Sequence, residues 1–252
     1  MKPKKIGITG RKENPVAKET AKLCTDILEQ KKIRFELDKG FFGKGKALKD
    51  FDSDIIISFG GDGTLIAAFR ELGKKKIPVM GLHCGNKGFL QAYNHNELEF
   101  ALKNILAGKY SVETRSRIAA KVAGKLVGEA LNEALVVPEK AGRIIKYTLK
   151  IGKEERNEAG DGLIVATPTG STAHSLSAGG PIVKGNAKVF VAVSVNPVDW
   201  SHRPLIVNDH EKIVVNGITN CKAELILDGQ KRFKVKKSIV LSKGSEVLLV
   251  VK

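Results

Sequence analysis

Residues 54–64 read Asp-Ile-Ile-Ile-Ser-Phe-Gly-Gly-Asp-Gly-Thr. The isoleucine run has no polar alternation, so a strand made from it must be covered on both faces, as strands of a parallel sheet are. It ends in glycines and an aspartate, and helical spacing of apolar residues follows over 64–72. A tight turn therefore falls at the carboxyl end of a buried strand, the edge where open α/β sheets bind ligands.

The surrounding hundred residues keep this rhythm. Residues 5–9 read as a strand, and Asn14-Pro15 offers an N-cap and a first-turn proline for a helix running to about Gln30. Ile33, Phe35 and Leu37 alternate as a second strand, residues 77–82 form another apolar strand, and 98–106 form a helix. This predicts an α/β domain with a doubly wound parallel sheet over 1–98. Beyond it come short β-patterned runs at 117–122, 126–131, 144–151, 163–166, 189–193, 213–215, 223–227, 238–241 and 247–251. Turns such as Asp228-Gly229-Gln230 separate them, and one short helix follows Pro168-Thr169-Gly170. A β-rich domain over 99–252 is expected.

The 43 lysines and arginines against 27 acidic residues leave a net charge of +16. That excess favours anionic partners, yet no helix-turn-helix, zinc or aromatic ribonucleoprotein pattern accompanies it, so no specific nucleic-acid partner is expected. Three scattered cysteines, with no CxxC pair, fit a reducing cytoplasm. No run approaches the ~20 apolar residues of a membrane span. His83, His95, His174, His202 and His210 have no metal-ligand spacing, so no metal site made by protein side chains is expected.

Three clusters carry chemistry. In the first, the amides around Gly60, Gly61, Gly63 and Thr64 can hold phosphate oxygens at a helix start. A carboxylate there, Asp62, repels phosphate; it either coordinates a magnesium ion or accepts a proton from a hydroxyl nucleophile. The second cluster spans Asp161 to Pro181 and is dense in Thr and Ser, which suit a sugar or the edge of a base. The third is Asn132-Glu133, an amide and a carboxylate suited to a ribose diol and an amino group.

Taken in order, Gly60–Gly63, Asn132-Glu133, the segment DGLIVATPTGSTAHSLSAGGP at 161–181, PVDWSHRPL at 197–205 and Asp228-Gly229-Gln230 resemble the NAD kinase family. The resemblance implies phosphoryl transfer to the 2′-hydroxyl of the adenosine ribose of NAD, giving NADP. Asp62 matches the family's proton acceptor, with Gly63 beside it. Asn132, Glu133, Asp161, the segment Thr172, Ala173, His174, Ser175, Leu176 and Ser177, and Gln230 match substrate contacts. Arg143 falls where some members place a ligand-contacting side chain. The donor implied is ATP with Mg²⁺, or polyphosphate as in some relatives, and the assembly implied is a homo-oligomer.

The sequence also departs from the family pattern. His174 replaces the usual tyrosine and His83 an asparagine. Ala67 and Ala159 stand where basic residues are common, which leaves Arg11, Lys12 or Arg203 to neutralise phosphate. The chain ends soon after its last strand pattern, without the further tail that many members pack back on the first domain. The alternatives are a lipid kinase of the diacylglycerol or sphingoid type, which shares GGDG but lacks the later segments, and a non-catalytic dinucleotide-binding protein.

Overall fold

The isoleucine run forms a strand at Ile55–Gly60 whose six residues are all buried. It pairs in parallel with a neighbour on each side. This computed structural model describes residues 2–85, 88–235 and 237–252. Contacts divide the chain into two units: residues up to Thr114 together with Val247–Lys252, and Arg115–Glu246. Asn86 and Lys87, in the run after the fourth strand, lie outside the described residues.

The first unit runs β1 (Lys5–Gly10), α1 (Pro15–Gln30), β2 (Arg34–Leu37), α2 (Lys39–Phe42), β3 (Ile55–Gly60), α3 (Asp62–Leu72), β4 (Val79–His83), β5 (Tyr93–Asn94) and α4 (Leu98–Ala107). Its parallel strands lie in the order β2-β1-β3-β4. The α1 cap is the one expected: Asn14 accepts the Ala17 amide at 3.1 Å, with Pro15 in the first turn. Ile55, Ile57 and Phe59 share a core with Ala17, Ala21 and Leu28 of α1 and Leu98, Leu102 and Ile105 of α4. The buried face of α3, Leu65, Phe69 and Leu72 among it, lies outside that core.

The second unit is antiparallel throughout. It comprises β6 (Ser111–Val122, entering from the first unit), β7 (Lys125–Ala130), β8 (Glu133–Pro138), β9 (Ile145–Ile151), β10 (Glu154–Gly160), β11 (Gly162–Ala166), α5 (His174–Ser177), β12 (Val189–Val195), β13 (Leu205–Asn208), β14 (Ile213–Thr219), β15 (Ala223–Leu227), β16 (Lys231–Val235) and β17 (Ile239–Val251). One sheet has the order β13-β12-β11-β8-β15-β16. A second layer pairs β10-β9-β14-β17, with β6 and β7 beside β17. Val136, Leu163 and Leu225 of the first layer pack with Tyr147, Leu149, Ile213 and Leu241 of the other in one sandwich core.

The units are bounded differently from the expected 1–98 and 99–252. Helix α4 stays with the first unit because Leu98, Ala101, Leu102 and Ile105 are buried in its core. The end of β17, expected to close the second domain, belongs to the first unit. Leu249 pairs in parallel with Val79, Val250 enters the first core, and Lys252 reaches Glu97 at 3.0 Å. The end of β17 thus returns to the first unit. Strands β8, β10, β13 and β16 are not among the expected runs: charged and polar residues mask the alternation in β10 and β16, whereas β8 (EALVVP) and β13 (LIVN) are short apolar runs that carry no alternation. Among the described residues, no helix is long and apolar enough to cross a membrane.

Candidate functional site

In the first unit, β3 turns into α3 through the glycine-rich corner. Gly61 is the N-cap, and Asp62 is already the first helical residue, two positions before the expected start. At Gly60 a Cβ would run into the Thr64 hydroxyl, so only glycine lets the chain turn this tightly. The Thr64 amide donates to Gly61 at 3.0 Å, so Thr64 serves the turn itself. Gly63 is exposed.

Asp62 is not the sparsely partnered carboxylate its glycine neighbours suggest. Oδ2 accepts the Phe89 amide at 2.8 Å, and Oδ1 accepts the Leu90 amide at 3.1 Å and the Gln91 side-chain amide at 3.3 Å. A carboxylate offers about four acceptor positions, so the three donors fix its orientation and, among the described residues, leave one position on Oδ2. Gly88 makes the approach possible: a Cβ there would lie 3.0 Å from both Asp62 Oδ1 and His83 Nδ1. His83 is buried, and neither ring nitrogen has a hydrogen-bond partner among the described residues. Phe89 is 79% exposed beside this acceptor, an aromatic face available to a base. The sequence reading did not single out Phe89, Leu90 and Gln91; the glycines flanking residue 86 were the available signal.

Across the second unit, one corner is held from both sides. Asp228 and Gly229 both have positive φ, 51° and 66°, and the Gln230 amide closes the turn on Leu227 at 2.9 Å. This is the primed hairpin turn that Asp-Gly favours. Because β15 pairs with β8, the Asp228 carboxylate reaches the entry to β8. It accepts the amides of Leu131 (2.9 Å), Asn132 (2.7 Å) and Glu133 (3.3 Å). On the other side, Thr167 gives its hydroxyl to the Leu131 carbonyl at 2.5 Å and its amide to the Asn132 carbonyl at 2.8 Å. Gly170 packs so closely on Asn132 that a Cβ would overlap the Asn132 carbonyl.

The backbone of this corner is therefore satisfied, and its side chains are left over. The Asn132 amide is half-buried without a side-chain partner among the described residues. Glu133 is 6% exposed, and its Oε2 is buried with no partner among the described residues. Burial, reinforced by the charge of Asp228, pushes the Glu133 carboxyl up to about 7.

The hydroxyl-rich segment splits into two jobs. Thr167 and Ser171 are structural: Ser171 donates to the Pro168 carbonyl at 2.7 Å and accepts the Val183 amide at 3.0 Å. Thr169 and Ser175 have buried hydroxyl oxygens without a partner among the described residues. A 3₁₀ turn at Thr169–Thr172 precedes α5, and Gly180 must be glycine because a Cβ would meet the Ser175 hydroxyl. Thr172 and Ala173 are half-buried, whereas His174, Leu176 and Ser177 are exposed.

Asp161 sits exposed between β10 and β11, accepting the Asn196 side-chain amide at 2.8 Å. Gln230 is exposed just past the Asp-Gly turn that organises the corner. Arg143 is exposed in the connection before β9 and lies in no strand. Arg203 and Arg11 are exposed too, Arg11 with Glu13 at 3.9 Å. Among the described residues no three His, Cys, Asp or Glu side chains gather as a metal cage.

Comparison with known proteins places these motifs. Residues 12–110 match the ATP-NAD kinase N-terminal domain and residues 131–251 the ATP-NAD kinase C-terminal domain. The chain is similar to an NAD kinase of Methanopyrus kandleri, 30% identical over 98% of this chain and 92% of that protein. Its fold is similar to that of an NAD kinase from Archaeoglobus fulgidus in complex with ATP, with a TM-score of 0.81 and 26% identity over 97% of this chain and 92% of that one. It also matches the fold of yeast NADH kinase complexed with NADH, with a TM-score of 0.87 and 22% identity over 100% of this chain and 84% of that one. The lipid-kinase alternative gives way to these matches, since both halves of the chain align with one family. The chain belongs to the NAD kinase family.

Proposed function

We propose that this chain phosphorylates NAD to NADP with ATP as donor, placing the phosphoryl group on the 2′-hydroxyl of the adenosine ribose. The observation that carries the reading is the corner at 131–133, where Asp228 and Thr167 satisfy the backbone and leave the Asn132 and Glu133 side chains for a ligand. An amide and a buried carboxylate without a protein partner suit a substrate rich in hydroxyl and amino donors.

A sugar hydroxyl is a poor nucleophile until its proton is accepted. Asp62 is the acceptor in this reading, its carboxylate held by three donors with a lone-pair position left on Oδ2. A positioned base of this kind contributes about 10²–10⁴-fold. Exposed Phe89 offers a face for a base, and Asn132, Glu133 and Asp161 hold the dinucleotide, with Thr172 to Ser177, Arg143 and Gln230 as further contacts. Gly60, Gly61 and Gly63 let phosphate oxygens approach the start of α3.

Mg²⁺ is proposed to enter with ATP. It is typically held by phosphates plus one or two carboxylates, and it neutralises charge on the transferring group. Among the described residues no group of three His, Cys, Asp or Glu side chains forms a cage, so the ATP phosphates are proposed to hold most of its coordination, and the open position on Asp62 is kept for the ribose proton. We further read the protein as cytoplasmic and as a homo-oligomer.

The test is turnover of the purified chain with NAD, Mg²⁺ and either ATP or polyphosphate, the product read by an NADP-specific dehydrogenase. NADP formed with ATP is the expected result. Tight NAD binding without any product from either donor would instead favour a non-catalytic dinucleotide-binding protein.

Glu133 adds a pH signature. Substrate donors favour the ionised carboxylate, so NAD binding near pH 7 should release a fraction of a proton, and affinity should rise as pH passes about 7. Calorimetry in two buffers of different ionisation enthalpy measures this directly. Glu133→Gln should abolish the buffer dependence; equal heats for the parent in both buffers would remove Glu133 from the contact. The free protein gives a second readout. A carboxyl raised from 4.5 to about 7 contributes stability that is full below about 4.5 and lost as pH rises through 7. The Gln variant should therefore gain stability over the parent at pH 8 relative to pH 4.

A further inference from the structure

Helix α1 and the β2–α2 segment enclose a groove of about 500 Å³ in the first unit, a volume typical of small-molecule sites. Phe35, Leu37 and Phe42 form its apolar wall. They are only half-buried, although strand alternation puts Phe35 and Leu37 on the face that packs toward α1. Neither the glycine-rich corner nor the 131–133 corner contributes a residue to this groove, and of the basic residues weighed for phosphate in the kinase reaction only Lys12 lines it.

Its charges are polarised. Lys12, Lys18, Lys22 and Lys44 line it, and none of the four ammonium groups has an ion-pair partner among the described residues. Asp26 and Glu29 also line it, one and nearly two helical turns beyond Lys22. Lys22 and Asp26 stand at the i,i+4 spacing that normally pairs opposite charges on a helix, yet they remain apart. The four lysines and two carboxylates sum to a local charge of +2. That complements a phosphate monoester dianion, while the aromatic wall suits a flat ring and the two carboxylates suit hydroxyl or amino donors.

We propose that this groove is a second ligand site, separate from the kinase corners, that takes a nucleoside monophosphate. Its phosphate lies among Lys12, Lys18, Lys22 and Lys44, its base against Phe35 and Phe42, and its sugar or exocyclic amine toward Asp26 and Glu29.

The probe is AMP, titrated by calorimetry into the full chain already saturated with NADP. One further site is expected. Adenosine and inorganic phosphate, each carrying half of the recognition, should bind at least about tenfold more weakly than AMP. The double substitution Lys18→Glu with Lys22→Glu reverses two exposed charges and should weaken AMP at least about tenfold while leaving kinase turnover intact. Three results would overturn the assignment: no AMP binding beyond NADP saturation, AMP binding unchanged in the double variant, or phosphate binding as well as AMP. Failure of the kinase reading is separable, because it appears as missing NADP binding and turnover in the parent. The AMP comparison between parent and double variant reads the groove in either case.

Discussion

Asp228→Ala is expected to lower the unfolding free energy by about 3 kcal/mol or more and to weaken NAD binding along with it. The carboxylate receives three consecutive amides, from Leu131, Asn132 and Glu133. Leu131 and Glu133 are buried, so water cannot fully replace the lost acceptor. Each buried donor left unpaired costs about 1–3 kcal/mol. Alanine also has to adopt the positive φ of 51° at this position, which side chains other than Asn and Asp seldom do. Asp228→Asn separates the two effects: it tolerates the turn and keeps one oxygen, so it should fall between alanine and the parent. Urea unfolding and NAD calorimetry on both variants measure this. A stability within about 0.5 kcal/mol of the parent for Asp228→Ala, the range of ordinary surface changes, would show that the clamp is ornamental.

A smaller effect follows from the same corner. Removing the charge of Asp228 takes away the like charge beside Glu133, and burial then remains as the cause of its raised carboxyl. The pH at which NAD binding strengthens should move down in Asp228→Asn and stay above the ordinary carboxylate range.

Much of this architecture was legible in the sequence because it rests on local rules. The unbroken isoleucine run implied a strand covered on both faces, and Asn14-Pro15 implied the start of α1. Asp228-Gly229-Gln230 was legible as a turn, since Asp-Gly fits positive φ. What the sequence did not disclose depends on contacts between distant residues. Nothing near residue 228 reveals that its carboxylate reaches amides nearly a hundred residues earlier; that follows only from β15 lying beside β8. The same holds for Asp62, whose partners Phe89, Leu90 and Gln91 come from the loop after β4. The helical register of α4 was readable, but its allegiance to the first unit was not, because that depends on which core receives Leu98 and Ile105. Taken without the other motifs, an Asn-Glu pair at a strand end carries little signal in the sequence. Burial of the Glu133 carboxylate without a partner distinguishes the pair, and burial is a property of the fold.

Asp62 is proposed as the group that takes the ribose proton. Asp62→Asn preserves size but cannot accept that proton. It also presents an NH₂ group to one of the three donors, so some loosening of the 88–91 loop accompanies the loss. Gln91→Ala controls for this, since it removes a donor to Oδ1 and leaves the carboxylate in place. If positioning alone mattered, the two variants would be similarly impaired. If Asp62 is the base, Asn costs at least about 10²-fold in turnover and Gln91→Ala far less. A metal role would look different again, because the Asn defect would then ease as Mg²⁺ is raised. The decisive measurement is kcat at saturating NAD and ATP over a Mg²⁺ series for the parent and both variants, with NAD affinity followed by calorimetry and the phosphorylated position of the product read by NMR. Expected are a product phosphorylated at the adenosine 2′-hydroxyl, a turnover loss in Asp62→Asn of at least about 10²-fold that added Mg²⁺ does not restore, and little change in NAD affinity. Near-parental turnover in Asp62→Asn, or phosphate on a different hydroxyl, would contradict this proposal.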